Sequence, residues 1–447
     1  MNLLKTFLFF LVFFTAENTF SQPQKADSLT DEQLLNEVQS QTFQYFWNGA
    51  EPNSGMARER INVDGIYPEN DKDVVTTGGS GFGIMSLLIG IERGFITRKE
   101  GIERLEKITG FLEAADRFHG AWPHWLYGPT GKVKPFSKKD DGGDIVETAF
   151  LVQGLLCARE YLKNGNKIEK ILAKRIDNLW KEVDWNWYRN GKNVLYWHWS
   201  PDYQWQMNFP IHGYNECLIL YILAASSPTH GVDPEVYHEG WAENGKIKSP
   251  SKIFGYQLEL YHQEAPNGGP LFWAHYSYLG LDPNGLKDQY ADYWLENKNQ
   301  ALINYTWCVK NPLKYKGYGP DNWGLTSSYS VDGYAAHAPS EKRDLGVIAP
   351  TAAIASIPYT PKKSLAAMRH WFRDIPLKEK LWGKFGFYDA FSQTANWYPQ
   401  KYLAIDQGPE VVMIENYRSG LLWKLFMNCK EVQKGLKKLG FRSSYIH

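Results

Sequence analysis

Two kinds of helical pattern alternate along the chain. From Val74 to Gly94 (VVTTGGSGFGIMSLLIGIERG) a glycine-rich loop passes into small and apolar residues. From Thr97, by contrast, Ile102, Leu105, Ile108, Phe111 and Leu112 recur at three- and four-residue spacing among charges. The first pattern predicts a helix buried on all sides, the second a helix with one wet face. The alternation returns in apolar Asp144 to Tyr161 followed by amphipathic Ile168 to Val183, and in apolar His212 to Ala225 followed by a more polar segment near Pro234 to Trp241. Further on come amphipathic Lys287 to Lys310, short apolar Gly346 to Ser356, Ser364 to Phe372, and Glu410 to Phe426 before a short basic helix. An opening helix begins at Thr30, with Leu34, Leu35, Val38, Phe43, Phe46 and Trp47 as its stripe. Roughly six units of loop, inner helix and outer helix predict an all-α, single-domain (α/α)6 barrel with long loops at one mouth. Period-two alternation is weak throughout.

The loops carry the second signal. Ala121 to Gly143, Trp185 to Phe209, Asn267 to Tyr278, Tyr318 to Asp344 and Leu403 to Pro409 are aromatic and polar, and each leads into an apolar segment. They are expected to gather at the mouth where helix N-termini and a cleft coincide. Residues 1–21 have a basic start at Lys5, an apolar core from Phe7 to Phe14, and small Thr19 and Ser21, the pattern of a signal peptide cleaved after Ser21. That core is too short to span a bilayer. The expectation is an exported, periplasmic or extracellular monomer whose barrel occupies residues 22–447, with no membrane span in the mature chain.

Composition narrows the partner. Lysine plus arginine and aspartate plus glutamate both number 49, so no basic footprint for a nucleic acid exists. Neutral ligands are favoured instead. Aromatic residues make up 15%, many in polar, glycine-rich loops, which suits sugar rings that are apolar on one face and hydroxylated at the edge. Trp122, His124, Trp125, Asp140, Trp205, His212, Tyr214, Trp273 and Trp323 are the candidate sugar contacts. Large helical proteins also spend tryptophan on their cores. The four cysteines show no metal-ligand spacing and are expected to be buried thiols. The Val74 to Gly94 glycines lack the ending of a phosphate loop and follow no strand, which excludes nucleotide binding there.

Acids stand at three loop-to-helix junctions. Glu216 sits between a polar aromatic stretch and the apolar run that follows it, where partial desolvation would raise its pKa and suit it to hold a proton. Asp144 and Glu147 share one helical face beside Asp140, and read equally as a capping box. Asp406 precedes Pro409, expected at a first helical position. Carboxyl groups converging on an aromatic cleft point to glycoside hydrolysis, which needs one proton donor and one carboxylate. No G-x-S-x-G elbow, HExxH or EF-hand loop competes. Two other readings are a polysaccharide lyase using Tyr214 and His212, and a non-catalytic glycan-binding protein.

Five blocks, Thr42 to Arg60, Asp73 to Arg98 with TTGGSGFG, Lys139 to Leu156, Gly213 to His230, and Ala404 to Trp423 with IDQGP, resemble the bacterial glucoamylase-like family. Its characterised branch is glycoside hydrolase family 144, the β-1,2-glucanases. The resemblance covers nearly all of the mature chain. It implies an (α/α)6 barrel, no cofactor or metal, an inverting mechanism, and β-1,2-glucan or sophoro-oligosaccharides as substrate. Glu216 matches the family's proposed acid. Asp144, Asp406 and Glu147 occupy the candidate base positions, with Asp144 and Asp406 both ranked ahead of Glu147.

Overall fold

The computed structural model describes residues 29–249, 251–263 and 265–446, so the expected signal peptide at 1–21 lies outside the described residues. Thirteen α-helices are described: α1 (Asp31–Trp47), α2 (Thr77–Glu92), α3 (Arg98–Ala114), α4 (Ile145–Leu162), α5 (Lys167–Lys181), α6 (Leu218–Ser226), α7 (Tyr293–Lys310), α8 (Pro350–Ala355), α9 (Pro361–Arg373), α10 (Ile375–Leu381), α11 (Ala404–Arg418), α12 (Leu421–Met427) and α13 (Lys430–Lys438). Three outer helices, α1, α3 and α5, begin at capping boxes. Thr30, Thr97 and Asn166 each accept from the backbone three residues on, and Gln33, Glu100 and Glu169 reach back to complete the box.

The inner ring is α2, α4, α6, a pair of tight turns at Leu271–Ala274 and Tyr276–Leu279, α8 and α11. Every residue from Thr77 to Gly90 of α2 is buried, as are Ile145 to Arg159 of α4. The outer ring is α1, α3, α5, the wide turn Val236–Trp241, α7 and α9, and α1 packs against α9 to close it. Together the two rings form an (α/α)6 barrel. Glycine permits its tightest crossing. A β-carbon on Gly81 would stand 2.2 Å from the Phe150 carbonyl oxygen, and one on Gly154 would stand 2.2 Å from that of Gly81. All four cysteines are buried free thiols. Among the described residues no helix is long and apolar enough to cross a membrane.

Three expected elements change. The apolar helix predicted from His212 starts only at Leu218, because Gly213 is left-handed (φ 70°) and the Asn215 side chain takes the Cys217 N–H at 2.9 Å. The stretch from Asn267 to Tyr278, expected as loop, supplies an inner element as two tight turns. The helix predicted over Glu410 to Phe426 runs from Ala404 to Arg418 and restarts at Leu421 after left-handed Gly420 (φ 68°). Pro409 therefore lies inside α11 rather than at its first position. It cannot donate to the Ile405 carbonyl, and the Tyr276 hydroxyl donates there instead at 2.9 Å.

Short antiparallel pairs pin the mouth loops, none longer than four residues. Val74–Thr76 pairs with Trp125–Tyr127, Gly143–Asp144 with His198–Trp199, and Arg60–Asn62 with Lys401–Leu403. Contrary to the sequence expectation, a short strand therefore does precede the glycines of α2, held there by pairing with residues some fifty positions on. These clamps bring Arg60, Trp125, Asp144, His198 and Leu403 from distant parts of the chain to the same end of the barrel.

Candidate active site

A cavity of about 380 Å³ opens at this end. Two carboxyl groups on different inner elements face it: Glu147 from the first turn of α4 and Glu216 from the turn before α6. Aromatic walls surround them. Trp125, Phe136, Phe150, Trp197, Phe272, Tyr276, Tyr329 and Tyr334 all line the cavity, as do Glu59 and Arg60, which form an ion pair with each other.

Asp144 organises the acids from behind. It is fully buried and caps α4, its Oδ1 accepting from Val146 N–H at 3.0 Å and Glu147 N–H at 2.9 Å. Its Oδ2 accepts from His124 Nδ1 at 2.9 Å and from the Trp197 indole at 3.1 Å. Only half of the capping box forms, because the Glu147 carboxylate turns away from Asp144 and accepts the Gly78 N–H of α2 at 2.8 Å. His124 Nε2 lies 4.0 Å from the other Glu147 oxygen, so this imidazole stands between two acids. Beyond Asp144, His198 Nδ1 lies 3.2 Å from Asp140 and 3.7 Å from Asp144.

These contacts set the charges. Burial opposes protonation of His124, but Glu147 and the Asp144 hydrogen bond outweigh it and push the imidazole up to about 9. Burial would raise Asp144, yet the His124 hydrogen bond, His198 and the α4 N–H groups hold it below its ordinary value. Glu147 is pushed up to about 7 by burial and by Asp144 and Asp140, against the pull of His124 and the Gly78 N–H. Glu216 also reaches about 7, mainly through burial, then through Glu147 and Asp144, with its own backbone N–H opposing. One ligand atom each from His124, Asp140 and Asp144 lies within 4.8 Å of the others. The imidazolium already supplies the positive charge among these acids, and the His124 and Asp144 atoms are spent on each other.

Asp406 is placed differently. It is 2% exposed, outside the cavity lining, and hydrogen-bonded to Asp389, whose Oδ2 accepts the Tyr329 N–H at 2.8 Å. Burial and the Asp389 charge raise its carboxyl well above the ordinary range, so it holds a proton.

The endo-β-1,2-glucanase of Chitinophaga pinensis, solved with sophorotriose and glucose, is 69% identical, with a TM-score of 0.93 over 94% of this chain and 100% of its own. The chain belongs to the glucoamylase-like family, glycoside hydrolase family 144. The Glycoamylase family model matches residues 208–430. An exo-β-1,2-glucooligosaccharide sophorohydrolase (non-reducing end) of Parabacteroides distasonis is 49% identical over 431 residues, which are 92% of this chain and 58% of that relative. The chain thus spans little more than half of that relative's length. At 12% identity, a Talaromyces funiculosus endo-β-1,2-glucanase shares the fold with a TM-score of 0.66 over 92% of this chain and 89% of its own.

Within this family 144 barrel the expected sugar contacts divide. His124 and Trp125 line the cavity. Asp140 is buried beside His198, and His212 lines an adjoining pocket. Trp122, Tyr214 and Trp323 belong to the core. The Trp122 and Trp323 indoles donate to the Leu112 and Lys363 carbonyls, and the Tyr214 hydroxyl donates to Asn297 at 2.6 Å. Trp273 packs on His262, and Trp205 packs outside the cavity against Trp187, Tyr188 and Tyr196. Burial of Trp122, Tyr214 and Trp323 follows from their size, since large rings in a double helical wall fill the space between its layers. Glu59, Arg60, Trp197, Tyr276, Tyr329 and Tyr334 were not legible as site residues. Only the adjacent opposite charges of Glu59 and Arg60 offered any signal.

Proposed function

We propose that this chain is an exported, inverting glycoside hydrolase acting on β-1,2-glucan or its oligosaccharides, with Glu216 as proton donor and Glu147 as base. The observation that carries the reading is the two cavity-lining glutamates of the inner ring, Glu147 and Glu216, both raised to about 7 inside an aromatic wall, while the third, Glu59, is paired with Arg60. The two named relatives, a β-1,2-glucanase and a β-1,2-glucooligosaccharide sophorohydrolase, supply the linkage.

The environments distinguish the two roles. Glu147 faces the His124 imidazolium and a helix N–H, both of which favour its charged form. Among the described residues no such cation acts on Glu216. The first proton therefore leaves Glu147, and the charge created there raises Glu216 further. Glu216 then gives its proton to the glycosidic oxygen as that bond breaks. Glu147 takes a proton from the water that attacks the anomeric carbon from the opposite face. This ordering revises the preference for Asp144 and Asp406. Both Asp144 oxygens are occupied by donors, and Asp406 keeps its proton behind the wall. A lyase using Tyr214 and His212 has less support, because that hydroxyl is committed to Asn297 in the core.

Purified protein should release reducing sugar from linear β-1,2-glucan, and the fresh product should carry the inverted anomeric configuration by NMR. Wild-type turnover in Glu147→Gln, or loss of turnover in a well-folded Asp406→Asn, removes Glu147 as base. No release from the glucan removes the activity itself.

A further inference from the structure

Glu216 stands just outside α6, beyond the reach of the helix's own hydrogen bonds. The helix opens at Leu218 behind Cys217, which supplies no side-chain cap. The Leu220 N–H turns to the Cys217 carbonyl at 3.1 Å rather than to that of Glu216, and the Ile219 N–H belongs to the first turn, where backbone donors lack a helical acceptor. A serine from another part of the chain serves both groups. Ser277 is fully buried; its hydroxyl donates to the Glu216 carbonyl and accepts the Ile219 N–H at 3.0 Å. A hydroxyl can donate and accept at once, so one side chain caps the helix and pins the backbone of the proton donor.

The turn that carries Ser277 is held by the helix of the base. Gln153 lies six residues beyond Glu147 on α4, about 9 Å along the helix axis. Its amide nitrogen donates to the Tyr276 carbonyl at 3.0 Å, and its oxygen accepts the Gly280 N–H at 2.6 Å. One buried side chain therefore grips the turn at both ends. Gly280 permits this approach, since a β-carbon there would stand 2.9 Å from the Gln153 oxygen. From other sides the Trp423 indole donates to the Tyr278 carbonyl at 2.8 Å and the Asn416 amide donates to the Leu279 carbonyl at 2.9 Å. A buried turn with its polar groups matched in this way is confined to one position.

The geometry points to Ser277 and Gln153 as positioning residues for the hydrolysis: a bracket that runs from the helix of Glu147, through the turn Tyr276–Leu279, to the backbone of Glu216, and sets the separation of the two carboxyl groups. The inference rests on the reading of those glutamates as base and proton donor. Neither Ser277 nor Gln153 lines the cavity. Inversion needs room for one water and the sugar between the two acids, so a small displacement of one acid against the other slows the chemical step while the aromatic walls that hold the sugar keep their places.

The test is a double-mutant cycle on linear β-1,2-glucan, with wild type, Ser277→Ala, Glu216→Gln and the two changes combined, each checked by its thermal midpoint. In the wild-type background Ser277→Ala should lower kcat about tenfold or more and leave KM within about twofold. In the Glu216→Gln background there is no proton left to place, and the same change should lower kcat by less than about twofold. Gln153→Met keeps the volume, removes both grips on the turn and leaves the Ser277 bonds in place. It should show the same dependence on background, and it reads the bracket from the α4 side if Ser277→Ala does not fold. An equal factor in both backgrounds, a loss carried by KM alone, or an unchanged kcat overturns the bracket. If wild type releases no reducing sugar from the glucan, the catalytic reading fails first and the positioning role falls with it.

Discussion

His124→Gln tests the charge arrangement most directly. The imidazole nitrogen and the Glu147 oxygen are 4.0 Å apart. Two unit charges at that distance interact by about 4 kcal/mol at an effective dielectric of about 20. At 1.36 kcal/mol per unit this corresponds to about three pH units, and solvent entering the cavity reduces it, so a displacement of at least about one unit is expected. The sign follows from which form the imidazolium favours. It favours ionised Glu147, and its removal raises the Glu147 pKa. Since the base must be ionised to accept a proton, the acidic limb of kcat/KM moves to higher pH. The alkaline limb, set by Glu216 losing its proton, moves little. The bell therefore narrows from its acidic side, and activity at pH 6 falls more than activity at pH 8. The assay is reducing-sugar release from linear β-1,2-glucan between pH 4 and 9, with the thermal midpoint checked at each pH. An acidic limb that stays in place or moves down refutes the arrangement, and so does an equal loss at every pH.

Three further outcomes are expected. Glu216→Gln should lower kcat by about 10²–10⁴-fold with an intact thermal midpoint; retention of wild-type kcat removes the proton donor. Asp406 must stay protonated in the fold, so its raised pKa contributes stability that is whole below about pH 3.9 and lost as pH rises. Asp406→Asn keeps a donor for Asp389 without that dependence and should raise the thermal midpoint at pH 8, with the gain vanishing towards pH 4; a lower midpoint at pH 8 contradicts the shared proton. Gly81→Ala places a β-carbon 2.2 Å from the Phe150 carbonyl oxygen and should cost about 1–3 kcal/mol, read as a lower urea midpoint. An unchanged midpoint there shows that α2 and α4 can part.

Residues Ala404 to Pro409 show how local signals mislead. A proline after an aspartate reads as a helix start, because the first helical position needs no N–H. Here the helix has already begun at Ala404, and a tyrosine hydroxyl from residue 276 takes the carbonyl that Pro409 leaves unpaired. Nothing near residue 409 encodes that tyrosine. Glu147 repeats the lesson in the other direction, since its spacing from Asp144 matches a capping box while its carboxylate is claimed by Gly78, 69 residues away.

By itself the sequence determined the alternation of inner and outer helices, because burial on all sides and burial on one face leave different periodicities in the residues themselves. It also determined that acids stand where loops meet apolar helices, including Glu216, Glu147 and Asp144. Only the tertiary structure decided which acid faces the cavity, which is capped and buried, and which shares a proton, because a carboxyl group's charge is set by partners that arrive from other parts of the chain. His124 reaches Glu147 through the pairing of Trp125–Tyr127 with Val74–Thr76, and Asp389 reaches Asp406 from a different loop.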